Sequence, residues 1–271
     1  MRAGQSGFAA LGELRPGAEY HGQPVSAVDG RLAQVHALVA AEPHAPEDAP
    51  GAMGSLRRLC SAAEKAIPAS GAGLSVITDS GVQGVAAASD AASARIDGLQ
   101  YTLGEGPCLD AFTSRRPVLE SDLGVSGVAR WPVYSPAAHE KGVRAVFAFP
   151  LQIGAARLGV LDLYRNQPGS LSAGELAQAL SFADVATTML LDAQEKAPPG
   201  AAPEGLDEAM EYHFELFQAQ GMVMVMLGIT IIEALAVLRG YAYAHNRDLA
   251  DVARDVVIRR LRLDEARGDD A

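Results

Sequence analysis

Apolar residues in the last fifth of the chain recur at helical spacing and predict three short helices. The first helix carries two apolar stripes, one along Met210, Phe214, Phe217, Gly221, Met224 and Gly228, and one along Tyr212, Leu216, Ala219, Val223 and Leu227. A helix that is apolar on two sides must bury both, for example against its own bundle and against a second chain. The pattern therefore predicts a small helical bundle that has a second apolar surface.

The second and third predicted helices are bounded by residues that commonly end and begin helices. Gly228 interrupts the first helix, and Thr230 with Glu233 has the spacing of a capping box. The second helix has an apolar stripe along Ile231, Leu235, Leu238 and Ala242. Asn246-Arg247-Asp248 predicts a turn in which Asp248 caps the third helix. That helix is predicted to face inward with Leu249, Val252, Ala253, Val256 and Val257, and outward with Arg254, Arg259 and Arg262, with Arg260 near the boundary.

The region between residues 53 and 193 mixes helical and extended patterns. Helices are predicted for Met53–Ala66, Pro136–Lys141 and Glu175–Ala193, and Pro107 suits the first turn of another. Strands are predicted for Leu74–Thr78, Gly84–Ala88, Arg116–Glu120, Val143–Ile153 and Arg157–Tyr164, with turns at Asp79-Ser80-Gly81 and Gly154-Ala155-Ala156. This combination predicts an α+β domain upstream of the helical bundle.

Three further segments have the composition of connecting or terminal chain. Residues 1–50 are rich in Gly, Pro, Gln and acidic residues, which predicts a mostly disordered segment that can hold one short helix around Gly30–Ala41. The composition of residues 195–207 predicts a Pro/Gly/Ala linker, and that of residues 264–271 predicts an acidic tail. Prolines in the linker would break a continuous signalling helix. Coupling between the two domains is therefore expected through dimer geometry or through docking.

Composition restricts the possible partners and the compartment. The formal net charge is −11, so any nucleic-acid site must be a local basic patch rather than the whole surface. Cys60 and Cys108 lie far apart without a CxxC motif, which favours a reducing cytoplasm and argues against a disulfide framework or a zinc site.

Residues 1–20 lack the apolar segment of a signal peptide. The apolar run Gly221–Leu238 contains Glu233 and a Gly-Ile-Thr break, so a membrane span is not expected.

The C-terminal motifs resemble those of the ANTAR domain. The resemblance rests on Ala219-Gln220-Gly221-Met222-Val223-Met224, Gly228-Ile229-Thr230, Glu233-Ala234, Leu238-Arg239, Ala242, Asn246 and Leu249-Ala250-Asp251-Val252-Ala253. It implies a three-helix output module over residues 208–263 that binds paired hairpins in nascent RNA and prevents transcription termination. This chain has Gln220 where many members have lysine, which weakens the electrostatic part of that expectation.

The upstream motifs resemble those of the GAF domain. They are Gly104-Glu105-Gly106-Pro107-Cys108, the stretch Gly142 to Leu151, and Leu158-Gly159-Val160-Leu161-Asp162-Leu163-Tyr164. The resemblance implies a sensor domain over residues 51–194, with a central antiparallel sheet flanked by helices and a pocket for a small ligand or chromophore. It also implies dimerisation through terminal helices. A GAF domain followed by an ANTAR domain is an arrangement of bacterial regulators.

Candidate RNA-binding residues are the polar, basic and aromatic residues that the ANTAR resemblance places on the bundle. They are Gln220, Arg239, Tyr241, Tyr243, His245, Arg247, Arg254, Arg259, Arg260 and Arg262. Arginine pairs with phosphate in bidentate fashion, and tyrosine can stack on bases splayed from RNA loops. The competing interpretation of the arginines is ordinary helix-face pairing of Asp251 with Arg254 and of Asp255 with Arg259.

Candidate sensor residues are fewer, and the sequence assigns no ligand and no cofactor. Cys108 follows Gly-Pro near a helix start, where its thiolate could be favoured for redox sensing; the alternative is a small residue packed under the turn. His139 has no other histidine at metal-ligand spacing and reads as a surface residue, so no metal site is expected. Trp131, Tyr134, Phe147 and Tyr164 either line a pocket or form ordinary core.

Two functional hypotheses of different classes follow. In the first, the protein is a cytoplasmic, signal-responsive and homodimeric regulator that binds RNA hairpins for transcription antitermination. In the second, the C-terminal bundle is a dimerisation or protein-interaction module without RNA binding. DNA binding by a helix-turn-helix is a more distant third hypothesis. Catalysis is not expected, because the sequence contains no G-x-S-x-G, HExxH or GxxxxGK[ST] motif.

Overall fold

The structure is a computed structural model that describes residues 25–44, 51–77, 83–196, 206–245 and 247–263. The sequence predictions for residues 1–24, for the turn at 79–81, for Asn246, for linker residues 197–205 and for the acidic tail lie outside the described residues. Two helices reach into the ends of the predicted linker, one ending at Lys196 and the next beginning at Leu206. Of the described residues, none belong to a helix that is both long and apolar enough to cross a membrane.

A five-stranded antiparallel sheet forms the centre of the upstream domain. Its strands are β1 (Gly71–Ile77), β2 (Gln83–Ala88), β3 (Val118–Glu120), β4 (Ala145–Ile153) and β5 (Ala156–Arg165), in the order β2-β1-β5-β4-β3. The β4–β5 hairpin turns at Gly154, whose positive φ of 56° is a conformation that glycine tolerates. The α+β class and the antiparallel sheet predicted from the sequence are confirmed.

Alternation along the strands sends apolar side chains to both faces of this sheet. Phe147 and Phe149 of β4 enter one core, whereas Val146 and Ala148 enter the other. Helices α1 (Val25–Ala41), α2 (Ala52–Ala66) and α7 (Ala173–Lys196) cover the first face. The second face is covered by α3 (Ala91–Leu103), α4 (Pro107–Ser114), a π-helical turn (Leu123–Gly127) that continues into α5 (Val128–Arg130), and α6 (Tyr134–Glu140).

Two helices of this domain differ from the sequence prediction. The short helix allowed around Gly30–Ala41 is present as α1, but it begins earlier, at Val25, and its Val35 and Val39 are buried in the core shared with α2 and α7. Helix α3 was not predicted at all. Its inward side is polar, with Ser93, Asp97 and Gln100 all buried, so it has no apolar stripe to detect.

The C-terminal bundle consists of three helices, as the sequence predicts. They are α8 (Leu206–Leu227), α9 (Ile231–Ala244) and α10 (Leu249–Val257). Gly228 has a positive φ of 65° and ends the α8 segment. The capping box of α9 is present, with the Glu233 N–H bonded to Thr230 Oγ1 and the Thr230 N–H bonded to Glu233 Oε2. Asp248 occupies the N-cap position of α10 without a side-chain cap bond.

The buried face of α9 and the end of α10 correct two details. Ala234, Leu238 and Ala242 form the buried stripe of α9, whereas Ile231 is exposed. Helix α10 ends at Val257, so Arg259, Arg260 and Arg262 lie in the segment after the helix rather than on its outer side. The chain turns there because Arg259 adopts the left-handed conformation, with a φ of 59°.

The bundle docks on the sheet domain through two contacts. Helix α8 lies beside β2, and α9 meets α3. At the second contact the Arg239 guanidinium carbon is 5.2 Å from the centre of the Tyr101 ring. Burial raises the pKa of Tyr101 to about 12, against the opposing effect of the Arg239 charge. The two domains are therefore in contact, as coupling by docking would require.

Candidate ligand site and nucleic-acid interface

Three ionisable side chains from different elements meet on the second face of the sheet. Asp97 comes from α3, Cys108 from the first turn of α4, and Asp162 from β5. One ligand atom from each lies within 4.8 Å of the other two, and all three residues are buried. Asp162 points to this face because Val160 and Tyr164, two residues away on either side, belong to the same core. This buried group is called the Asp97–Cys108–Asp162 cluster below.

Asp97 is held by two hydroxyl donors. Ser75 Oγ donates to its Oδ2 at 2.6 Å, and Tyr164 Oη donates to its Oδ1 at 2.7 Å. Gly73 makes room for it, since a Cβ on Gly73 would lie 3.0 Å from the Asp97 carboxyl carbon. A residue with a side chain at position 73 would push this carboxylate away from the sheet.

Gln100 joins the other two members of the cluster. Its Oε1 accepts the Cys108 N–H at 2.7 Å, and its Nε2 donates to Asp162 Oδ2 at 3.3 Å. Gly106 permits this approach, because its φ is 147° and a Cβ there would lie 2.5 Å from Gln100 Oε1. The Gly-Glu-Gly-Pro turn thus places the start of α4 against α3.

Burial dominates the protonation of the cluster. The pKa of Asp162 is raised well above its usual value, first by burial and then by the neighbouring Asp97. The pKa of Cys108 is also raised, by burial and by the charge of Asp162. This opposes the low-pKa thiolate expected from the helix N-terminus, and the buried position agrees with the alternative of a small residue packed beneath the turn. Among the described residues, no lysine, arginine or histidine forms an ion pair with either carboxyl group.

Asp162 Oδ1 and Tyr134 Oη are buried polar atoms at the cluster that have no hydrogen-bond partner. Tyr134 is close enough for Asp162, Asp97 and Cys108 to raise its pKa further, beyond the effect of burial. Glu105 Oε1 fixes the position of Tyr134 by accepting the backbone N–H groups of Val133 and Tyr134 at 2.6 and 2.8 Å. Native proteins rarely leave buried polar atoms unpaired, and atoms of this kind commonly contact an ordered water, an ion or a ligand.

A cleft of about 1020 Å³ leads from solvent to this side of the sheet. Its walls include Leu99 and Thr102 of α3, Lys141 beyond α6, and Tyr243 of the bundle. Its floor includes Ser75 and Asp97. Both domains therefore line the same cavity, and Asp97 is the member of the cluster that borders it.

The other sensor candidates divide between the two cores and the surface. Trp131, Tyr134 and Tyr164 are buried on the cluster side of the sheet, whereas Phe147 is buried on the opposite side. His139 is exposed, as predicted. Phe147 therefore cannot line the same pocket as the other three aromatic residues.

Six of the ten RNA candidates lie on exposed surface. These are Tyr243, His245, Arg254, Arg259, Arg260 and Arg262. Tyr243 is 66% exposed, and the last three arginines follow one another closely after α10. These three arginines follow the C-terminus of α10, where cations are favoured by the helix dipole.

The side chains of the four remaining candidates are buried or already contact other residues of the protein. Gln220 is only 4% exposed, with its Oε1 unpaired. Arg239 packs over Tyr101, and Tyr241 stacks on His245 with 3.9 Å between ring centres. Arg247 pairs with Asp255 at 2.5 Å. In this conformation the side chains of Gln220 and Arg239 are not accessible to an RNA molecule in solution.

Ion pairing on α10 agrees in part with the sequence alternative. Arg254 pairs with Asp251 at 3.5 Å, as that alternative expects, and also reaches Glu215 of α8 at 3.3 Å. Asp255, however, pairs with Arg247 rather than with Arg259. Because α10 has ended, Arg259 is no longer one helical turn from Asp255.

Sequence reasoning missed Asp97, Gln100 and Asp162. A usable signal was present for Asp162, since an acidic residue at an inward position of an otherwise apolar strand is unusual. No such signal existed for Asp97, because its helix was not recognised. Residues 97, 108 and 162 are brought together by the tertiary fold, and their spacing along the sequence matches no local motif.

An α+β sensor-like domain with a polar pocket, joined to a three-helix module, is the architecture of a two-domain regulator. The family comparisons agree with this class. The GAF domain model matches residues 55–190, and the ANTAR domain model matches residues 204–257. The chain belongs to the GAF-domain family and carries a C-terminal ANTAR domain, the composition of a regulator of the antiterminator type. No match was found among curated proteins.

Solved GAF-type structures are similar to the upstream domain at low identity. The GAF domain of a phosphoenolpyruvate-protein phosphotransferase from Acinetobacter is 11% identical over 62% of this chain and 96% of its own, with a TM-score of 0.46. The corresponding domain from Coxiella burnetii is 18% identical over 62% and 95%, with a TM-score of 0.45. A free methionine-R-sulfoxide reductase from Neisseria meningitidis is 13% identical over 64% and 93%, with a TM-score of 0.43.

Proposed function

We propose that this chain is a signal-responsive, RNA-binding regulator of transcription antitermination. The observation that carries the proposal is the exposed basic segment Arg259, Arg260 and Arg262 at the end of the ANTAR bundle. In a chain of net charge −11, a local cluster of this kind is where a phosphate backbone would bind. We call these three residues the C-terminal arginine segment.

The bundle also offers groups that could read RNA bases. Tyr243 is exposed, and His245 lies two residues further along at the end of α9. Aromatic rings of this kind stack on unpaired bases in hairpin loops. In this proposal the arginines bind the phosphates and the aromatic residues contact the loop.

Sensing would take place in the GAF domain through the cleft that both domains line. A small ligand seated between α3 and the bundle would touch Thr102 on one side and Tyr243 on the other. Such a ligand would bind the docked and undocked arrangements with different affinity, which is the condition for shifting an equilibrium. Ligand binding would thereby control how far Arg239 and Tyr243 are available to RNA.

We further propose that the protein acts as a homodimer in the cytoplasm. Helix α8 buries Leu216, Ala219 and Val223 inside its own bundle, yet Val225 on another side is 77% exposed. The predicted apolar stripe that contains Phe217 and Met224 is only partly buried, and it would then pack against a second chain. A dimer would also present two arginine segments to paired hairpins.

One observation favours the alternative of a protein-interaction module without RNA binding. Gln220 is buried, and Arg239, Tyr241 and Arg247 contact other side chains, so four of the ten candidates are committed to contacts within the protein. If this arrangement is permanent, the bundle serves to hold the sensor domain and a partner. The experiment below separates the two functions.

Ultraviolet crosslinking in the native cell, followed by sequencing of bound RNA, tests the proposal. The full chain should enrich RNA with paired hairpins near terminators, and a version ending at Gly205 should lose that enrichment. A third sample, the full chain with Arg259→Ala and Arg262→Ala, should lose most of it while keeping the bundle. RNA recovery that is equal in all three samples would reject RNA binding by the bundle.

A further inference from the structure

We propose that Asp97, Cys108 and Asp162 form a binding site for a divalent transition metal ion. The three residues lie on α3, α4 and β5, and their ligand atoms are within 4.8 Å of one another. Metal–ligand bonds of about 2.0–2.3 Å in a tetrahedral site place the ligand atoms roughly 3–4 Å apart. The cluster therefore needs only small side-chain movements to close around one ion.

The unpaired atoms at the cluster supply an independent reason to expect a bound cation. Asp162 Oδ1 and Tyr134 Oη are buried and have no hydrogen-bond partner. A proton shared between Asp97 and Asp162 would also reduce the buried charge and would link the two carboxyl groups, but it would leave Tyr134 Oη without a partner. A metal ion bound by Asp162 Oδ1, with Tyr134 or a water in a fourth position, satisfies both oxygens.

The charge balance of the cluster points the same way. Two carboxyl groups and a thiol are enclosed by apolar and aromatic side chains, including Trp131 and Val160. Within the ranges that the structure describes, neither carboxyl group has a basic partner. Buried charges are normally paired or bound to a metal, and a divalent ion would offset the negative charge of the site.

Hydrogen bonds hold the proposed ligands in a fixed orientation. Ser75 and Tyr164 donate to the two oxygens of Asp97, and Gln100 donates to Asp162 Oδ2. Each carboxylate oxygen has a second lone pair, so these bonds leave room for a metal. Metal-binding carboxylates are commonly supported by donors of this kind.

The donor set selects the class of metal, and the cleft provides its route. One thiolate and two carboxylates suit Zn²⁺, Fe²⁺ or Co²⁺, whereas Mg²⁺ and Ca²⁺ take oxygen ligands only. Asp97 is buried but borders the 1020 Å³ cleft, and in this proposal an ion enters the site from that side. The sequence suggests no such site because its ligands are separated by 11 and 54 positions, counted from residues 97, 108 and 162.

Cobalt titration of the chelator-treated full chain tests the site. Co²⁺ should produce a near-ultraviolet charge-transfer band from a thiolate ligand, with saturation at one ion per chain. Cys108→Ser should abolish the band, and Asp162→Asn should weaken Co²⁺ binding at least tenfold. Cys60→Ser is the matched control, since Cys60 is equally buried but lies in the core on the other face of the sheet, and it should keep the band.

A second measurement needs no variant and covers the case in which Cys108→Ser does not fold. X-ray absorption of the Zn²⁺-loaded wild-type chain should show one sulfur ligand at about 2.3 Å beside oxygen ligands. No saturable Co²⁺ or Zn²⁺ binding, or a zinc shell without sulfur, would overturn the proposal. RNA binding does not depend on this result, because the arginine segment lies in the other domain.

Discussion

At the scale of single residues, Arg259 combines a strained backbone with a charge that the proposed function needs. Its φ of 59° is a left-handed conformation that disfavours residues with a Cβ by about 1 kcal/mol or more. We expect Arg259→Gly to leave the free energy of unfolding unchanged or to raise it by up to about 1 kcal/mol, because glycine adopts this conformation freely.

Chemical denaturation followed by circular dichroism measures this effect. Arg260→Gly is the control, since it removes the same charge at a neighbouring position without a positive φ. It should destabilise the bundle through the greater freedom of glycine in the unfolded chain. A larger loss of stability in Arg259→Gly than in Arg260→Gly would contradict the assigned backbone conformation.

Asp90 is a second residue whose local role can be tested, through the dependence of stability on pH. Its Oδ1 accepts the Ser93 N–H at 2.6 Å and caps α3, which lowers the pKa of Asp90 below its usual 3.8. Because the folded-state pKa is the lower one, this stabilisation is complete above 3.8 and is lost as the pH falls through the folded pKa.

We therefore expect Asp90→Ala to lower the free energy of unfolding by about 1 kcal/mol at pH 7, and by less in acid. Asp90→Ser retains a capping oxygen and should recover most of the loss. Urea titrations of the three proteins at several pH values measure the difference. An equal effect of Asp90→Ala at every pH would argue against the carboxylate as the cap.

At the scale of secondary structure, local signals decided which elements could be predicted. The capping box of Thr230 and Glu233 is a short-range signal, so the start of α9 was predicted correctly. The β4–β5 hairpin was likewise marked by apolar runs around Gly154. Helix α3 was missed because its buried side carries Asp97 and Gln100, and those side chains are stabilised by contacts from distant strands.

The same reasoning explains the errors at the end of α10 and in the site. Nothing in the sequence marks Arg259 as a left-handed residue, so the helix was extended past Val257. The Asp97–Cys108–Asp162 cluster depends on the antiparallel pairing that sets Gly73 of β1 opposite Asp162 of β5. Long-range strand pairing of this kind produces no periodic pattern in the amino-acid sequence.

The capping box gives a testable prediction for the second helix of the bundle. Thr230→Ala removes the hydroxyl that accepts the Glu233 N–H, and we expect a loss of about 1 kcal/mol in the free energy of unfolding. Thr230→Ser keeps the acceptor and should lose much less. Thermal unfolding followed by circular dichroism compares the variants; equal melting temperatures for Ala and wild type would reject the cap as a stabilising feature.

At the scale of the whole molecule, the contact between Tyr101 and Arg239 links the sensor to the output. A cation–π contact of this kind is worth about 0.5–1 kcal/mol when partly exposed. If docking withholds Arg239 from RNA, Tyr101→Ala should raise RNA affinity roughly two- to fivefold, since the substitution lies outside the ANTAR domain.

Tyr101→Phe is the matched control, because it keeps the aromatic ring beneath Arg239 and should bind RNA like the wild type. Filter binding with one hairpin RNA measures all three proteins. A Tyr101→Ala protein that binds RNA no better than wild type would show that docking does not limit access to the bundle.

The salt dependence of RNA binding tests the central claim most directly. A paired-hairpin RNA recovered by crosslinking is titrated with wild type and with Arg259→Ala/Arg262→Ala over a range of salt concentrations. The account predicts weaker binding and a salt slope reduced by roughly one per arginine. The control Arg115→Ala/Arg116→Ala removes two exposed arginines of the GAF domain, one of them also left-handed at φ 59°, and should leave binding intact. Equal loss in both double variants, or no loss in either, would contradict an RNA interface at the C-terminal arginine segment.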